Sequence, residues 1–311
     1  MSNAVELVQV TKRFGDQAAV SELDLQVPTG SIYGFVGPNG SGKTTTIRMI
    51  LRIFQPDEGV VRVLDADSGK AADDRLGYLP EERGLYKRMK VGSLLKYYAQ
   101  LKGFRDCDSE IDMWLDRLGA GDWRNKKIDS LSKGMAQKVQ FISAVVARPQ
   151  LLILDEPFSG LDPVNMEVLR DAVLSLRENG TTIIFSTHDM DVAEKLCDTI
   201  FMIFQGRKVL DGTLTDIQRE YAADTLKIRL APGEQLPESL PGVETQREEG
   251  LYHFLKLVNP DESQPVLRRL LDSVQVEHFE LMRPSLHDIF VGIARPQMIP
   301  EENPVESVAS Y

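Results

Sequence analysis

The run Gly37-Pro38-Asn39-Gly40-Ser41-Gly42-Lys43-Thr44 constrains this chain more than any other segment. Before it lies Ile32–Val36, an apolar run that reads as a strand. After it comes Thr44–Leu51, which places Ile47, Ile50 and Leu51 on one helical face. A glycine-rich turn between a strand and a helix is the P-loop pattern. Its glycines allow backbone N–H groups to close around phosphates, and the helix start adds its positive dipole end. Lys43 is placed to neutralise the β- and γ-phosphates of a nucleotide. The Thr44 hydroxyl is placed to bind Mg²⁺, with Thr45 beside it in the same helix start. The rival reading is a flexible turn before a helix. The flanking strand and helix favour phosphate binding.

A P-loop alone leaves a kinase, a GTPase and a transport ATPase open. Leu151-Leu152-Ile153-Leu154-Asp155-Glu156-Pro157 begins to separate them. Four aliphatic residues read as a strand buried on both faces. Asp155 at its carboxyl end is placed to hold Mg²⁺, directly or through water. Glu156 can polarise a water for in-line attack. The rival reading is a strand stopped by ordinary solvated acids; four aliphatics followed by paired acids and a proline, in a chain that already carries a P-loop, favour the chemical one.

The chain has 311 residues, a formal net charge of −11 and two cysteines. At about 150 residues per domain, two domains are expected. No apolar run approaches the ~18 residues of a membrane helix. The start of the chain has no basic segment followed by an apolar one, so no secretory leader is expected. Cys107 and Cys197 are single and far apart, which fits a reducing cytosol and excludes a disulfide framework or zinc site. The acidity argues against nucleic acid as a partner. Residues 1–220 carry −4 of the charge and residues 221–311 carry −7. This asymmetry puts a boundary near Tyr221.

Up to residue 220 the pattern is α/β. A mostly helical insert is expected around 85–145, where Val91, Leu94, Leu95, Tyr98 and Leu101 recur at helical spacing. Ile111, Trp114, Leu115 and Leu118 follow, with Ser109 as N-cap. Residues 221–294 read as a small α+β domain. Strands are expected at Leu226–Leu230, Leu251–Val258 and Val274–Leu281, with helices at Ser263–Asp272 and Leu286–Ile293. Residues 295–311, with Pro296, Pro300 and Pro304 among glutamates, have the composition of a disordered tail.

Taken together, the motifs resemble the ATP-binding cassette (ABC) ATPases over about residues 4–220. Leu131-Ser132-Lys133-Gly134-Met135 is similar to the family's signature motif. Ser159-Gly160-Leu161-Asp162 is similar to its D-loop, and Ser186-Thr187-His188-Asp189 to its switch-histidine segment. Phe14 stands where the family has an aromatic that stacks on adenine. The resemblance implies a P-loop ATPase core with a helical subdomain, working with ATP and Mg²⁺. It implies that ATP is held by Phe14, Gly37, Pro38, Asn39, Gly40, Ser41, Gly42, Lys43, Thr44 and Thr45, with Glu81 and Asp162 nearby. Ser132 and Gly134 would cap the γ-phosphate held by a second copy of the chain. Glu156, His188 and Lys43 would be catalytic, and Thr44, Asp155 and Glu81 would face the metal. In isolation Ser132 reads as an ordinary N-cap, His188 as a loop histidine and Phe14 as core.

Two motifs depart from the pattern. Lys133 and Met135 replace the usual Gly and Gln of the signature. Glu81, in Leu79-Pro80-Glu81, replaces the Gln that couples the nucleotide site to the membrane partner. The Tyr78–Tyr86 run and the C-terminal segment Arg283–Phe290 resemble the sodium-extrusion and drug-export branch. That branch implies a separate integral-membrane permease, docking near Glu81–Met89 at the cytoplasmic face of the membrane. Two other readings are a soluble ABC protein acting on ribosomes or DNA, and a nonhydrolysing nucleotide-binding regulator. The single cassette opposes the first, and Glu156 with His188 opposes the second.

Overall fold

The computed structural model describes residues 2–64, 66–67, 74–82, 84–221, 224–237 and 239–298. The chain divides into two compact units between Leu214 and Thr215.

The first unit opens with two long strands, β1 (Asn3–Phe14) and β2 (Gln17–Pro28), paired antiparallel. Strand β3 (Ile32–Val36) leads into the glycine-rich turn and α1 (Lys43–Ile50). β4 (Glu58–Val63) and the short β5 (Ala66–Asp67) complete a four-stranded sheet of order β2-β1-β4-β5. β6 (Leu76–Leu79) precedes the helical region of α2 (Val91–Leu101), α3 (Asp108–Arg117) and α4 (Lys133–Val145). The chain then alternates strand and helix through β7 (Leu151–Asp155), α5 (Pro163–Glu178), β8 (Thr182–Thr187), α6 (Met190–Leu196) and β9 (Thr199–Phe204). It closes the unit with β10 (Arg207–Gly212).

These later strands form a six-stranded sheet of order β10-β9-β3-β8-β7-β6. All neighbours are parallel except the β9–β10 hairpin. Every residue of β3, β7 and β8 is buried. That follows from the side-chain period of two, which sends alternate residues into separate cores. Tyr33, Phe35, Leu151, Ile153 and Ile184 pack with α1 and the antiparallel sheet. Ile32, Leu152, Leu154, Ile183 and Phe185 pack with α2, α3, α4 and α5 on the other side.

The helical region differs from expectation at one end. Helix α3 begins at Asp108, after Cys107, and not behind an N-capping Ser109. Asp108 is bound by Lys96 at 2.7 Å and by Arg124, so its charge in the first turn fixes the helix entry.

The second unit carries β11 (Thr225–Leu230), β12 (Val243–Glu249), β13 (Tyr252–Leu257), α8 (Ser263–Ser273), β14 (Val276–Met282) and α9 (Leu286–Met298), following α7 (Leu214–Glu220). The sheet is antiparallel, of order β12-β13-β11-β14. Val266 and Leu270 of α8 pack on Leu226, Ile228, Leu255 and Leu257. Strand β12 carried no signal in the sequence. It is an edge strand whose positions are almost all exposed, so it has no apolar alternation to read. Helix α9 continues past Ile293, so residues 295–298 of the expected tail are helical. Residues 299–311 lie outside the described residues. The unit boundary falls one short helix, α7, before the expected Tyr221.

Gly77 of β6 shows how tightly α4 lies on this sheet edge. A β-carbon there would stand 2.4 Å from the Ala144 carbonyl oxygen of α4 and 2.9 Å from Leu152. Gly77→Ala is expected to destabilise the first unit by about 1–3 kcal/mol, read as a lower urea midpoint at unchanged slope.

Candidate active site

Parallel pairing aligns three strand ends. Val36 of β3 stands beside Thr187 of β8, and Asp155 of β7 beside Ser186. The glycine-rich turn, the Asp155-Glu156 pair and the Thr187-His188 segment therefore leave the sheet at one carboxyl-terminal edge. Ligands of open α/β sheets bind at such edges.

Two glycines of the turn are required by close approach. A β-carbon on Gly37 would lie 2.2 Å from the Ile203 carbonyl oxygen, and one on Gly42 2.8 Å from the Ala19 carbonyl oxygen. Lys43 curls back into the turn and donates to the carbonyls of Gly37 at 2.6 Å and Pro38 at 3.1 Å. Burial pulls its ammonium below the usual lysine range, while Glu156, Asp155 and Glu81 oppose that shift.

A cleft of about 170 Å³ is lined by Asn39 through Thr45 with Ala19, Glu81, Asp155 and Glu156. A second hollow of about 430 Å³ meets it at Ala19 and Gly40, and Phe14 lines its far side. Phe14 is about half exposed and touches Phe54 edge-on, with ring centroids 5.4 Å apart. It is therefore a surface ring beside the cleft and not a core residue. A narrow cleft of N–H groups continuing into a hollow with an exposed ring matches a triphosphate joined to a base.

Asp155 is buried. Its Oδ1 accepts from the Ser186 hydroxyl at 2.8 Å, while its Oδ2 has no hydrogen-bond partner. Burial raises the Asp155 pKa above the ordinary carboxylate range, Ser186 opposes this, and Glu81 and Glu156 add to it. The Ser41 hydroxyl is also buried without a partner. An orphaned carboxylate oxygen beside the Thr44 position fits a hard cation that takes one or two protein oxygens and the rest from phosphate and water. Among the described residues there is no group of three or more His, Cys, Asp and Glu that could hold a metal by itself.

Glu156 has φ of 49°, a left-handed backbone that a non-glycine residue rarely adopts. That turn aims its carboxylate sideways, where it is held by three donors. The His188 backbone N–H and ring Nδ1 reach Oε1 at 2.9 and 2.7 Å, and the Thr187 hydroxyl reaches Oε2 at 3.3 Å. The Glu156 side chain is 11% exposed and the His188 ring 60% exposed, so the histidine stands at the mouth and the acid behind it.

Ser132, Gly134 and Asp162 do not line the cleft of their own chain. Ser132 caps α4, with Oγ accepting from the Met135 N–H at 3.3 Å. Asp162 caps α5, accepting from the Asn165 N–H at 3.1 Å, and this hydrogen bond holds its carboxyl below the usual range. Lys133 lies over Gly160, where any added β-carbon would meet its Cε at 2.8 Å.

Two contributors were not singled out from the sequence, and a third, Ser186, was named only as part of the switch-histidine segment. Ser186 is the hydroxyl on Asp155. Gln137 and Gln140 are buried on α4 and donate to loop carbonyls, at 2.9 Å to Pro157 and at 3.2 and 3.3 Å to Pro80 and Glu82. Their one signal was two polar residues three apart, hence on one face of a helix.

Comparison with known proteins agrees with this geometry. The ABC transporter profile matches residues 20–159. The profile of the C-terminal domain of DrrA1-3-like ATP-binding proteins matches residues 212–294. The ABC transporter ATP-binding protein YhaQ of Bacillus subtilis is 44% identical over 284 residues, covering 91% of this chain and 95% of its own. The daunorubicin/doxorubicin resistance ATP-binding protein DrrA of Streptomyces peucetius is 30% identical, covering 94% of this chain and 92% of its own. The ABC transporter ATP-binding protein NatA of Bacillus subtilis is 32% identical, covering 71% and 94%. A solved ATP-binding subunit of an ABC transporter superposes with a TM-score of 0.67 at 27% identity, covering 70% of this chain and 93% of that one. With the cassette profile matched and a relative 44% identical along most of its length, the chain belongs to the ATP-binding proteins of ABC transporters and carries their ATPase cassette.

Proposed function

We propose that this chain is the ATP-hydrolysing subunit of an exporter. In this reading two copies pair head to tail and dock on a separate integral-membrane permease at the cytoplasmic face of the membrane. The observation that carries the hydrolytic part is the Glu156–His188 contact at 2.7 Å, beside the cleft that Lys43 enters.

Phosphoryl transfer asks a protein for positioning and charge stabilisation more than for covalent chemistry. The turn from Gly37 to Gly42 surrounds the phosphates with N–H groups, and Lys43 neutralises their charge. Thr44 and Asp155 would hold Mg²⁺, with Glu81 facing the same space. Bound there, the ion would supply neutralisation of the phosphate charge. Glu156 accepts a proton from the attacking water, and His188 holds Glu156 and contacts the γ-phosphate. Phe14 stacks on the base. Ser132 and Gly134, with the α4 N-terminus, complete the γ-phosphate site of the second copy, and Asp162 lies beside that junction.

Among the described residues no helix is long and apolar enough to cross a membrane, so a transport role calls for a separate permease. A groove of about 300 Å³ lined by Tyr78, Pro80, Leu85, Tyr98 and Gln140 is the place offered for its cytoplasmic helix. Export is supported by relatives named for drug resistance and by the Nod factor export ATP-binding protein I of Paraburkholderia xenovorans, 31% identical over 95% of this chain. The cargo would be chosen by the permease.

Glu156→Gln is expected to bind ATP normally, to lose at least about 100-fold in turnover and to accumulate as an ATP-bound pair, seen by size-exclusion chromatography with scattering. Wild-type turnover in that variant would remove Glu156 from the mechanism. Phe14→Ala is expected to weaken ATP binding roughly tenfold, the effect of losing one stacked base, with kcat almost unchanged. Equilibrium titration with a fluorescent ATP analogue measures it, and equal affinity would move the base elsewhere.

A further inference from the structure

Gln140 is 3% exposed in the middle of α4, a position where a polar side chain needs a reason. Its amide nitrogen donates to two carbonyls, Pro80 at 3.2 Å and Glu82 at 3.3 Å. Those are the residues on either side of Glu81, which itself is exposed and lines the phosphate cleft with Lys43, Asp155 and Glu156. A single side-chain amide therefore grips the turn at both shoulders and leaves the carboxylate between them free to face the cleft. Because both partners are carbonyls, only the NH₂ end of the amide satisfies them, and this fixes the orientation of the side chain. Its Oε1 is buried without a partner, so the cost of this arrangement is accepted for the sake of the two donated bonds.

Three residues earlier on the same helix face, Gln137 does the same for the next loop. It is 3% exposed and donates to the Pro157 carbonyl at 2.9 Å, directly after Glu156. Helix α4 is thus bonded to the loop of each exposed-edge acid, and its N-terminus is Ser132. A helix transmits displacement along its axis as a rigid body, so movement of its N-terminus reaches both loops.

We propose that Gln140 is a positioning residue for Glu81: it latches the Pro80–Glu82 turn to α4, so that the Glu81 carboxylate is presented to the phosphate cleft only when α4 is seated. The proposal deepens the hydrolytic reading above and rests on it. It assigns Gln140 no contact with nucleotide. Gln137 plays the parallel part for the loop that carries Glu156.

The test is a double-mutant cycle on the full chain with two readouts. Gln140→Leu keeps the volume and removes the donor. It is expected to lower ATPase kcat roughly tenfold, as loss of two buried hydrogen bonds to the turn implies, with KM for ATP within twofold. Amide exchange in the segment around residues 79–89 is expected to rise, while that of β7 and β8 stays unchanged. In a Glu81→Ala background, Gln140→Leu is expected to have no further effect on kcat. Gln140→Glu, which cannot donate when ionised, is expected to behave like Leu. The proposal is overturned if Gln140→Leu leaves kcat and exchange at wild-type values. It is also overturned if Glu81→Ala alone has no effect, or if Gln140→Leu costs the same factor in both backgrounds. Glu156→Gln serves as the control: loss of turnover there with additivity in the cycle sinks the latch alone, whereas turnover surviving in Glu156→Gln sinks the hydrolytic reading.

Discussion

The parallel register of β3, β8 and β7 is the constraint on which the rest depends. Five consecutive pairs join β3 to β8, and five more join β8 to β7. Because the strands are parallel and buried on both faces, their side chains are committed to packing. Chemistry is left to the residues just past their ends. Three loops arise from neighbouring strands only about 5 Å apart, so the glycine-rich turn, the Asp155-Glu156 pair and His188 are brought together by backbone pairing. The Ser186 hydroxyl on Asp155 and the Thr187 hydroxyl on Glu156 are this register expressed in side chains.

The strand-end chemistry was legible because it is local. The glycines around Lys43, the four aliphatics before Asp155 and the apolar run before His188 each carry their context in a few residues. The two-faced burial of β7 and β8 shows directly in Leu151–Leu154 and Ile183–Phe185. What escaped depends on contacts between segments distant in sequence. Gln140 meets Pro80 and Glu82 about 60 residues away, and no periodicity marks a partner at that range. Strand β12 escaped for another reason: an exposed edge strand exists by pairing with β13 and needs no apolar pattern of its own. The start of α3 was misplaced because an ion pair across to Lys96 and Arg124 outweighed local capping preference.

Charge is organised along the same division. As an ATP-binding cassette the first unit has to receive a polyanion, and under the proposed function it would do so with the buried Lys43 and the backbone N–H groups of the glycine-rich turn. Three carboxylates, Glu81, Asp155 and Glu156, line the same small cleft as that lysine. Under the proposed function they would repel a bare triphosphate and favour one that arrives with a cation.

The left-handed backbone at Glu156 has an evolutionary consequence. A side chain held at φ of 49° stores conformational energy of about 1 kcal/mol that a glycine would release. Against that relief stand the three hydrogen bonds its carboxylate receives from Thr187 and His188, so backbone and side chain pull in opposite directions at this position. Drift at this codon toward glycine would therefore exchange a strained backbone for donors left without their carboxylate, so neither residue is free of cost here.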